Sequence, residues 1–371
     1  MPDNQIKIAM ITRPNLYSAP GGDTVQILKT AETLKALYGV DSDIIINGKI
    51  NYTNYSLIHF FNIICPEDIL GHIYHSPIPF IVSTIYVDYR EYDRYHRKDM
   101  VGKISRIFKK DSVEYFKTLV KYLFKNEKVS TIKFFFKGHS SSIKYIINKA
   151  ELLLPNSSNE YNRLLKDYLI EKAHWVIPNA IDPSLFKEIE NIKRDLVLCV
   201  GRIEGNKNQL NIIRALKNTK YTVVFIGTAA PNQKTYYEQC KSEADSNMKF
   251  LDFIPQKELV QYYNRAKVHV LASWFETTGL SNLEAGVMGC NLVIGNRGDV
   301  KDYFEDYAFY CEPGDLNSIK KAIDNAWNSD VNNELKNKIL QQYTWTQTAQ
   351  LTYEAYKSVL KNFPKKTKDT K

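Results

Sequence analysis

Two glutamates eight positions apart are the first residues whose types and spacing suggest chemistry. Glu276 and Glu284 bound the stretch "ETTGLSNLE", which joins a strand, "VHVLAS", to a helix, "SNLEAGVMG". Ser281 followed three residues later by Glu284 has the spacing of a helix capping box, and this pattern alone favours a capping role. The alternative is that Glu284 accepts hydrogen bonds from a ligand diol, while the backbone amides of Gly279–Leu283 hold an anion. One carboxylate can hardly do both.

Two cations occupy a second strand-to-helix loop. In "VLCVGRIEGNKNQL", Arg202 directly follows the strand and Lys207 stands just before the helix. Ligands of open α/β sheets bind outside the carboxyl ends of the strands. Two cations near a helix N-terminus, with glycines that allow close approach of the backbone, suit a diphosphate. The alternative, a pair of solvated loop cations, is equally compatible with the spacing.

The elements that must position these residues form two series. In the first, strands are indicated at "IKIAMIT", "SDIIING", "SLIHFFN", "PFIVSTIY", "AELLLPNS" and "AHWVIPNAI". A helix follows the first strand, with Asp23 or Thr24 as its cap and Gly39 at its end. After residue 190 the alternation restarts with "DLVLCVGR", "YTVVFIG", "KFLDF", "VHVLAS" and "NLVIG". Strands alternating with helices predict an α/β protein with two Rossmann-like domains built on parallel sheets.

The positive charge of the chain is concentrated in one segment. The net charge is +9, yet residues 94–149 alone hold 15 Lys and Arg against four Asp and Glu. A local basic field implies an acidic partner such as lipid headgroups, nucleic acid or a phosphorylated substrate. Lysines interleaved with Leu, Tyr and Phe favour an anionic membrane surface. A solvated cationic helix face is the alternative, and no nucleic-acid-binding motif supports the third possibility.

Composition predicts a cytoplasmic protein. There is no apolar run of 18 residues, and the N-terminus lacks the pattern of a signal peptide. The five cysteines are scattered without metal-ligand spacing, which is typical of a reducing compartment. The motif "DSD" at 41–43 has the spacing of a metal-binding pair, but it lies at a helix-to-strand turn, and we expect no metal there.

Together these segments resemble the retaining glycosyltransferases of family 4, which have the GT-B fold. The matching stretches are "PGGDTVQILKTAETL", "VIPNAIDPSLF", "VGRIEGNKN", the run from "FLDFIPQ" to "VMGCNLV", and the tail around Trp345. The resemblance implies sheets facing across a cleft, with an acceptor-binding domain over 1–178 and a nucleotide-sugar-binding domain over 179–344. A C-terminal helix, about 345–371, would return to the first domain.

The resemblance also implies roles for individual residues. Arg202 and Lys207 match the pair on the donor diphosphate, Glu276 the carboxylate at the transferred sugar, and Glu284 the carboxylate on the donor ribose. The other implied donor-binding positions are Gly21, Gly22, Asp252, Phe253, Ile254, Thr277, Thr278, Gly279, Leu280, Ser281, Asn282 and Leu283.

One departure from the family pattern concerns a histidine after the fourth strand. The matching position in this sequence is Tyr86, with Asp88 two residues further on. A tyrosine can donate a hydrogen bond to a sugar hydroxyl, but it cannot carry a positive charge. We predict that Tyr86 takes the catalytic role, with Asp88 or His139 as the alternatives.

The resemblance finally implies an activity. It is transfer of a hexosyl or N-acetylhexosaminyl group, with retention, from a nucleotide-diphosphate sugar to an acceptor hydroxyl, without cofactor or metal. A UDP-sugar is the first choice of donor. The expected acceptor is a lipid-linked or membrane-proximal glycan of surface polysaccharide synthesis, reached from the inner face of the plasma membrane through segment 94–149. A protein or small-molecule acceptor, or a sugar-nucleotide epimerase of the same fold, is the alternative.

Overall fold

The computed structural model describes two compact units. The described residues are 6–46, 50–97, 100–107, 112, 115, 118, 131, 133–189, 191–331 and 333–363. The first unit comprises Met1–Tyr86, Phe108–Pro178 and Trp345–Lys371, and the second comprises Val87–Ile107 and Asn179–Thr344. Each unit is described by itself below.

The first unit is built on a five-stranded parallel sheet in the order β2-β1-β3-β4-β5. Alternate residues of β1 belong to different apolar clusters: Ile8 and Met10 lie in one, Ala9 and Ile11 in the other. Because successive side chains of a strand point to opposite faces, the sheet is covered on both sides, as a doubly wound fold requires. The strands are Lys7–Ile11 (β1), Asp41–Ile45 (β2), Leu57–Phe61 (β3), Phe80–Ser83 (β4) and Leu152–Leu154 (β5).

The described helices of the first unit connect these strands or follow them. The first begins at Gly22, with Gly21 as its N-cap, and Gly39 ends it with φ 64°. Glycine is commonly found at that left-handed position at the end of a helix. The predicted end of this helix at Gly39 is therefore confirmed. The helices are Gly22–Tyr38, Pro66–His75, Lys133–Lys137, His139–Lys149, Ser158–Tyr168 and Trp345–Asn362, with a 3-10 turn at Tyr52–Asn54.

The last helix belongs to the first unit, as predicted. The Tyr353 ring stacks on Tyr38 of the first helix with 4.3 Å between the ring centroids. The Tyr356 hydroxyl lies 2.8 Å from Nδ1 of the buried His59 on β3, and Nε2 of that imidazole lies 2.8 Å from Ser83 Oγ. Burial lowers the pKa of His59 to about 3, so the ring is neutral. Its Nδ1 contact joins the last helix to β3, and its Nε2 contact joins β3 to β4.

One predicted strand of the first unit is wrong. The segment "AHWVIPNAI" forms no strand; it makes an isolated bridge between His174 and Leu153, and another between Ile181 and Thr344. Pro178 stands between the two bridges. Because proline has no amide hydrogen to donate, it cannot continue the ladder of hydrogen bonds that a strand needs.

The second unit is built on a six-stranded parallel sheet in the order β11-β10-β9-β6-β7-β8. Val197 and Cys199 of β6 lie in one apolar cluster, Leu196 and Leu198 in the other, so this sheet is also covered on both faces. The chain order reverses between β6 and β9, the position where ligands of such sheets bind. The strands are Leu196–Val200 (β6), Thr222–Ile226 (β7), Met248–Leu251 (β8), Ala266–Leu271 (β9), Asn291–Gly295 (β10) and Phe309–Cys311 (β11).

The described helices of the second unit alternate with its strands, apart from one early segment. They are Met100–Ile107, Gln209–Leu216, Lys234–Glu243, Gln256–Arg265, Leu280–Val287, Val300–Phe304, Leu316–Asn328 and Asn333–Gln342. Shorter turns occur at Tyr92–His96, Pro183–Leu185 and Gly205–Lys207. Within the described residues no helix is long and apolar enough to cross a membrane.

The segment Val87–Ile107 departs from the predicted domain division. The prediction placed it in the first domain, whereas its contacts make it part of the second unit. Just before it, Ile85 has φ 43°, a conformation that a β-branched residue rarely adopts. Such backbone strain persists only where the surrounding structure imposes it. The chain therefore leaves the first unit through a constrained turn.

Candidate functional site

The loops after β6 and β9 meet at the position where the strand order of the second sheet reverses. Lys207, from the first loop, donates to Glu276 Oε2, from the second, over 2.5 Å. The side chains of this pair are only 18% and 11% exposed, and Ser273 Oγ donates to the same carboxylate oxygen over 3.2 Å. The structure thus brings together two residues that the sequence analysis had assigned to the diphosphate and to the sugar.

The second cation of the β6 loop is more open. Arg202 lies 3.3 Å from Glu204, and 43% of its side chain is exposed. Both cations therefore have a carboxylate partner from the protein itself. A phosphate that approaches Lys207 would have to compete with Glu276 for the ammonium group, a coupling that residue spacing could not reveal.

The backbone of the β9 loop is fixed at Glu276. Asp299 N donates to the Glu276 carbonyl over 2.8 Å, and a Cβ added to Gly298 would lie 2.0 Å from that oxygen. Gly279 has φ 66°, and a Cβ there would lie 2.5 Å from Asn282 Nδ2. The backbone contact at Gly298 and the left-handed conformation of Gly279 therefore each favour glycine.

The predicted capping role of Ser281 is wrong. The helix spans Leu280–Val287 and Gly279 is its N-cap, so Ser281 lies inside the first turn. Its hydroxyl donates to the Val200 carbonyl at the end of β6 over 2.9 Å. No side chain among the described residues caps this helix, which leaves its positive end to a ligand.

A buried hydroxyl stands at the start of the same helix. Thr278 is 1% exposed, and its Oγ1 has no hydrogen-bond partner among the described residues. A buried polar atom without a partner is costly and points to a water or ligand atom in the occupied site. Thr277 is half-buried, Leu280 packs against the core and Leu283 is fully buried, so Leu280 and Leu283 can serve a ligand only through their backbones.

Glu284 belongs to a separate group of side chains. Gln256 Nε2 donates to one carboxylate oxygen over 2.7 Å, and the Tyr263 hydroxyl donates to the other over 2.8 Å. Burial raises the pKa of Glu284 to about 7, an effect that the two hydrogen bonds oppose. Glu284 is therefore not part of a capping box. Gln256 and Tyr263 were missed by the sequence analysis, because they occupy unremarkable positions of an amphipathic helix.

The predicted base-binding residues lie in the loop after β8, two to four positions before Gln256. The Phe253 side chain is 75% exposed, and Asp252 is also exposed. Ile254 is half-buried against the core. An exposed aromatic ring just before the helix whose Gln256 and Tyr263 bind the Glu284 carboxylate suits a planar ligand next to a diol.

Gly21 and Gly22 lie in the first unit, at the end of a loop that one arginine organises. Arg13 donates through Nε and one terminal nitrogen to Asp23, over 2.5 and 3.0 Å, and through the same terminal nitrogen to the Ala19 carbonyl. Its other terminal nitrogen donates to the Asn15 side chain. The glycine loop is thus held from within the first unit.

The structure argues against the predicted catalytic role of Tyr86. This residue is 1% exposed in the core of the first unit, and its hydroxyl donates to Asp167 over 2.6 Å. Burial, and then the neighbouring Tyr168, raise the pKa of its phenol. The two alternatives are also engaged: Asp88 pairs with Arg90, and His139 is buried with Nε2 at 3.0 Å from the Ile64 carbonyl.

Several side chains near the site were not predicted. Tyr89 lies edge-on to Phe275, the neighbour of Glu276, with 5.9 Å between ring centroids. Trp274 of the same loop is stacked with His96. Among the described residues, no three His, Cys, Asp or Glu side chains form a group that could hold a metal. Asp43 of the "DSD" motif pairs with Lys7 over 2.8 Å.

One family model matches part of the chain. Residues 181–343 match the model of the family described as glycosyl transferases group 1. This range lies within the second unit and contains every predicted site residue except Gly21, Gly22 and Tyr86.

The chain also resembles several proteins at low sequence identity. An uncharacterized 41.2 kDa protein in the cps region of Klebsiella pneumoniae is 23% identical over 44% of this chain and 48% of its own length. A 2-deoxystreptamine N-acetyl-D-glucosaminyltransferase of Niallia circulans is 26% identical over 48% and 49%. The O-antigen chain mannosyltransferase B of Escherichia coli is 22% identical over 43% and 45%. The chain spans about half the length of the curated relatives it matches.

Solved structures match over nearly the whole chain. Sucrose-phosphate synthase of Thermosynechococcus elongatus has a TM-score of 0.75 and 14% identity, over 97% of this chain and 100% of that one. Anabaena Alr3699/HepE in complex with UDP-glucose has a TM-score of 0.65 and 15% identity, over 95% and 100%. At such identity the likeness shows a shared fold, and the predicted α/β fold with two parallel sheets, as in GT-B glycosyltransferases, is confirmed.

Proposed function

We propose that this protein is a retaining glycosyltransferase that moves a sugar from a nucleotide-diphosphate sugar to an acceptor hydroxyl. The observation that carries the proposal is the Lys207–Glu276 pair beside Arg202 and the uncapped helix Leu280–Val287. A carboxylate for a sugar and two cations for a diphosphate stand at one sheet edge. The match of residues 181–343 to glycosyl transferases group 1 supports the same activity.

The chemistry asks mainly for electrostatic stabilisation. As the bond between the sugar anomeric carbon and the diphosphate oxygen breaks, negative charge grows on the diphosphate. Arg202, Lys207 and the amides at the start of the helix after Gly279 would stabilise that charge. The acceptor oxygen attacks the anomeric carbon on the same face, and the leaving phosphate oxygen accepts the acceptor's proton. Glu276 orients the sugar through its hydroxyls.

The other end of the donor would lie against Glu284. In its ionised form this carboxylate accepts hydrogen bonds from two adjacent ribose hydroxyls, and Phe253 offers an exposed ring to the base. We propose UDP as the carrier, because a structural neighbour was solved with UDP and with UDP-glucose. The names of two distant relatives, an N-acetylglucosaminyltransferase and a mannosyltransferase, favour a hexose or N-acetylhexosamine as the transferred sugar.

We propose a glycan of surface polysaccharide synthesis, carried on a lipid, as the acceptor. Support comes from a relative in a cps region and another named for the O-antigen chain. Half of those relatives' length lies outside the match, so their names support only the class of acceptor. A cytoplasmic enzyme bound to the inner face of the membrane would have access to such a glycan.

A cationic and aromatic surface of the first unit supports this location. The Phe136 side chain is 89% exposed between Lys133 and Lys137. The ammonium groups of these lysines lie 4.6 and 4.4 Å from the ring centroids of Tyr74 and Tyr145, respectively. Lysines around an exposed aromatic ring suit an anionic bilayer surface. Much of the predicted membrane-binding segment 94–149, including residues 119–130, lies outside the described residues.

The experiment that tests the proposal is a donor screen. Thermal shifts with UDP, GDP, ADP and the corresponding sugar nucleotides would identify the carrier, and nucleotide release would then be measured with and without lipid extracts. We expect a stabilising shift with one class of nucleotide and release that depends on an acceptor. No shift with any nucleotide diphosphate would contradict the proposal.

A further inference from the structure

One segment of the amino-terminal half packs on the loops of the proposed donor site. This docked segment, residues 89–97, lies within Val87–Ile107 of the second unit, and the chain before and after that stretch belongs to the first unit. The sequence analysis placed residues 94–97 in the predicted membrane-binding segment and assigned no function to residues 89–93. Its contacts fall on three loops at the carboxyl ends of β6, β9 and β10.

The first contact is on the loop after β6, which carries Arg202 and Lys207. A Cβ added to Gly205 would lie 1.9 Å from the Tyr92 hydroxyl oxygen, so this hydroxyl rests directly on the glycine. Gly205 stands between Arg202 and Lys207 in sequence. Any side chain at position 205 would displace Tyr92, because its Cβ would lie closer to the Tyr92 hydroxyl than van der Waals separation allows.

The second and third contacts lie on either side of Tyr92 in the docked segment. The His96 and Trp274 rings are stacked, with 3.4 Å between centroids and 15° between planes. Glu91 accepts from Arg297 Nε over 3.0 Å, and the same guanidinium donates to Glu312 over 2.9 Å. A stack and an ion pair at separate points fix both the position and the tilt of the segment.

The fourth contact places Tyr89 next to the proposed sugar site. Its ring lies edge-on to Phe275 at 83°, one residue before Glu276. Burial of the phenol, then the carboxylates of Glu204 and Glu276, raise its pKa, while Arg202 lowers it. The residue is 41% exposed, so part of it remains open to a ligand.

We propose that the docked segment forms a wall of the sugar subsite, in which Tyr89 determines which sugars are accepted. The Tyr92–Gly205 and His96–Trp274 contacts hold this wall on the donor-binding loops. The inference rests on the proposed function and adds the residue that selects the sugar. Tyr89 lies at the Glu276 end of the site, whereas Phe253 lies in the loop proposed for the base.

The chemistry of a tyrosine suits this position. Its hydroxyl can donate to or accept from a sugar hydroxyl, and its ring can pack against the carbon–hydrogen face of a pyranose. A site that hydrogen-bonds one substrate hydroxyl discriminates against epimers that leave the protein group unpaired. The wall also covers the Gly205 loop, which limits the access of water to the diphosphate.

The test compares variants of the docked segment with a matched control. Tyr89→Phe and Tyr89→Ala remove the hydroxyl and the ring, His96→Ala removes the stack on Trp274, and Arg94→Ala is the control because its side chain is exposed on the same segment. Nucleotide release would be measured with a panel of UDP-sugars that differ at single hydroxyls, alongside the dissociation constant of UDP. Circular dichroism would verify the fold of each variant.

We expect Tyr89→Ala to raise KM for the preferred UDP-sugar by about tenfold, the effect of about 1.4 kcal/mol of lost contact. The preference among sugars should flatten, while the UDP dissociation constant stays within about twofold of wild type. His96→Ala should raise KM for all sugars and increase hydrolysis without acceptor. Arg94→Ala should behave as wild type.

A second readout does not depend on turnover. Hydrogen exchange of the peptide covering 87–97 should slow more with a UDP-sugar than with UDP, since only the sugar reaches the wall. If wild-type enzyme is active but Tyr89→Ala keeps the sugar preference and KM of Arg94→Ala, the inference is overturned and the proposed function stands. If wild type binds no sugar nucleotide at all, both are overturned.

Discussion

The carboxyl edges of the two sheets differ in how far their polar groups are satisfied by hydrogen bonds within the protein. In the first unit most of the polar groups named here satisfy one another: Arg13 is bound by Asp23, Gln26 and Asn156 exchange amide hydrogen bonds over 2.9 and 3.2 Å, and Glu160 accepts from the amides of Tyr86 and Asn156. One buried hydroxyl at this edge, Thr12 Oγ1, has no partner among the described residues. In the second unit the groups are left partly unsatisfied. The Thr278 hydroxyl has no described partner, the helix at Leu280 has no side-chain cap, and burial raises the pKa of Glu284.

This difference indicates which edge is prepared for a charged ligand. Polar groups that already hydrogen-bond one another gain little from a ligand, since their bonds would have to be exchanged. Unpaired and strained groups gain much more, because the ligand supplies a partner that folding did not. We therefore infer that the second unit holds the donor.

The largest loss of activity is expected at Lys207, in the loop after β6. Lys207→Ala should lower the rate of nucleotide release by about 100- to 1,000-fold, the range found for the loss of one group that stabilises developing charge. It also leaves the buried Glu276 without its cation, so a lower melting temperature should accompany the loss. Lys241→Ala, on an exposed helix of the same unit, is the control and should keep full rate. Equal rates of nucleotide release in Lys207→Ala and Lys241→Ala would contradict the inference that the edge of the second sheet holds the donor.

The second effect concerns Glu284 and pH. Its folded pKa of about 7 lies above the ordinary value of 4.5, so the folded state holds a proton that the unfolded chain releases. The resulting contribution to stability is complete below pH 4.5 and is lost as pH rises through about 7. Donor affinity should change in the opposite direction, because ribose hydroxyls need the ionised carboxylate as acceptor.

Thermal shift and UDP titration between pH 5.5 and 8.5 would check this. Glu284→Gln should abolish both trends and weaken UDP binding by about 10- to 100-fold, as expected for two hydrogen bonds to a charged group. Glu258→Gln, an exposed position of a neighbouring helix, should leave both trends in place. Donor affinity that falls as pH rises through 7 in wild type would contradict the assignment of Glu284.

A smaller effect distinguishes the outer surfaces of the units. Replacing Lys133 and Lys137 by alanine should weaken binding to anionic vesicles by about tenfold or more, since each cation contributes about 1 kcal/mol at such a surface. Vesicles of phosphatidylglycerol and phosphatidylcholine in a flotation assay would measure this at moderate salt. The control is the replacement of Lys217 and Lys241 in the second unit. Equal flotation of both double variants would place the membrane contact elsewhere.

The smallest effect is expected at Tyr86. Tyr86→Phe removes the hydroxyl that donates to Asp167, which should cost about 1 kcal/mol of stability and leave nucleotide release within about twofold of wild type. Melting temperature and kcat are the two measurements. A tenfold loss of kcat without loss of stability would restore the catalytic role that the sequence had suggested for this tyrosine.

Much of the fold could be predicted because it depends on local pattern. Apolar strands alternating with helices, and Gly39 at the end of the first helix, have direct consequences for the backbone. The strand predicted over "AHWVIPNAI" failed because an apolar run says nothing about available hydrogen-bond partners. Val87–Ile107 joined the second unit because its aromatic and charged side chains find partners there, and such long-range contacts leave no periodic trace.

The candidate site shows the same division. Residue type and loop position marked Arg202, Lys207, Glu276 and Glu284 as candidates, and the family resemblance supplied their expected roles. The partners that set their properties were not found: Lys207 is bound to Glu276, and Glu284 to Gln256 and Tyr263, which depends on how the sheet brings distant loops together. Ser281 has the spacing of a cap, but the helix begins one residue before it, at Leu280.

The measurement that tests the central claim most directly is the behaviour of Glu276→Ala. UDP affinity and the rate of nucleotide release would be determined side by side with the preferred UDP-sugar. Because the substitution frees Lys207 for the diphosphate, the account predicts UDP binding at least as tight as in wild type, with release slowed by about 100-fold. Full rate of release, or loss of UDP binding with an intact fold, would contradict it.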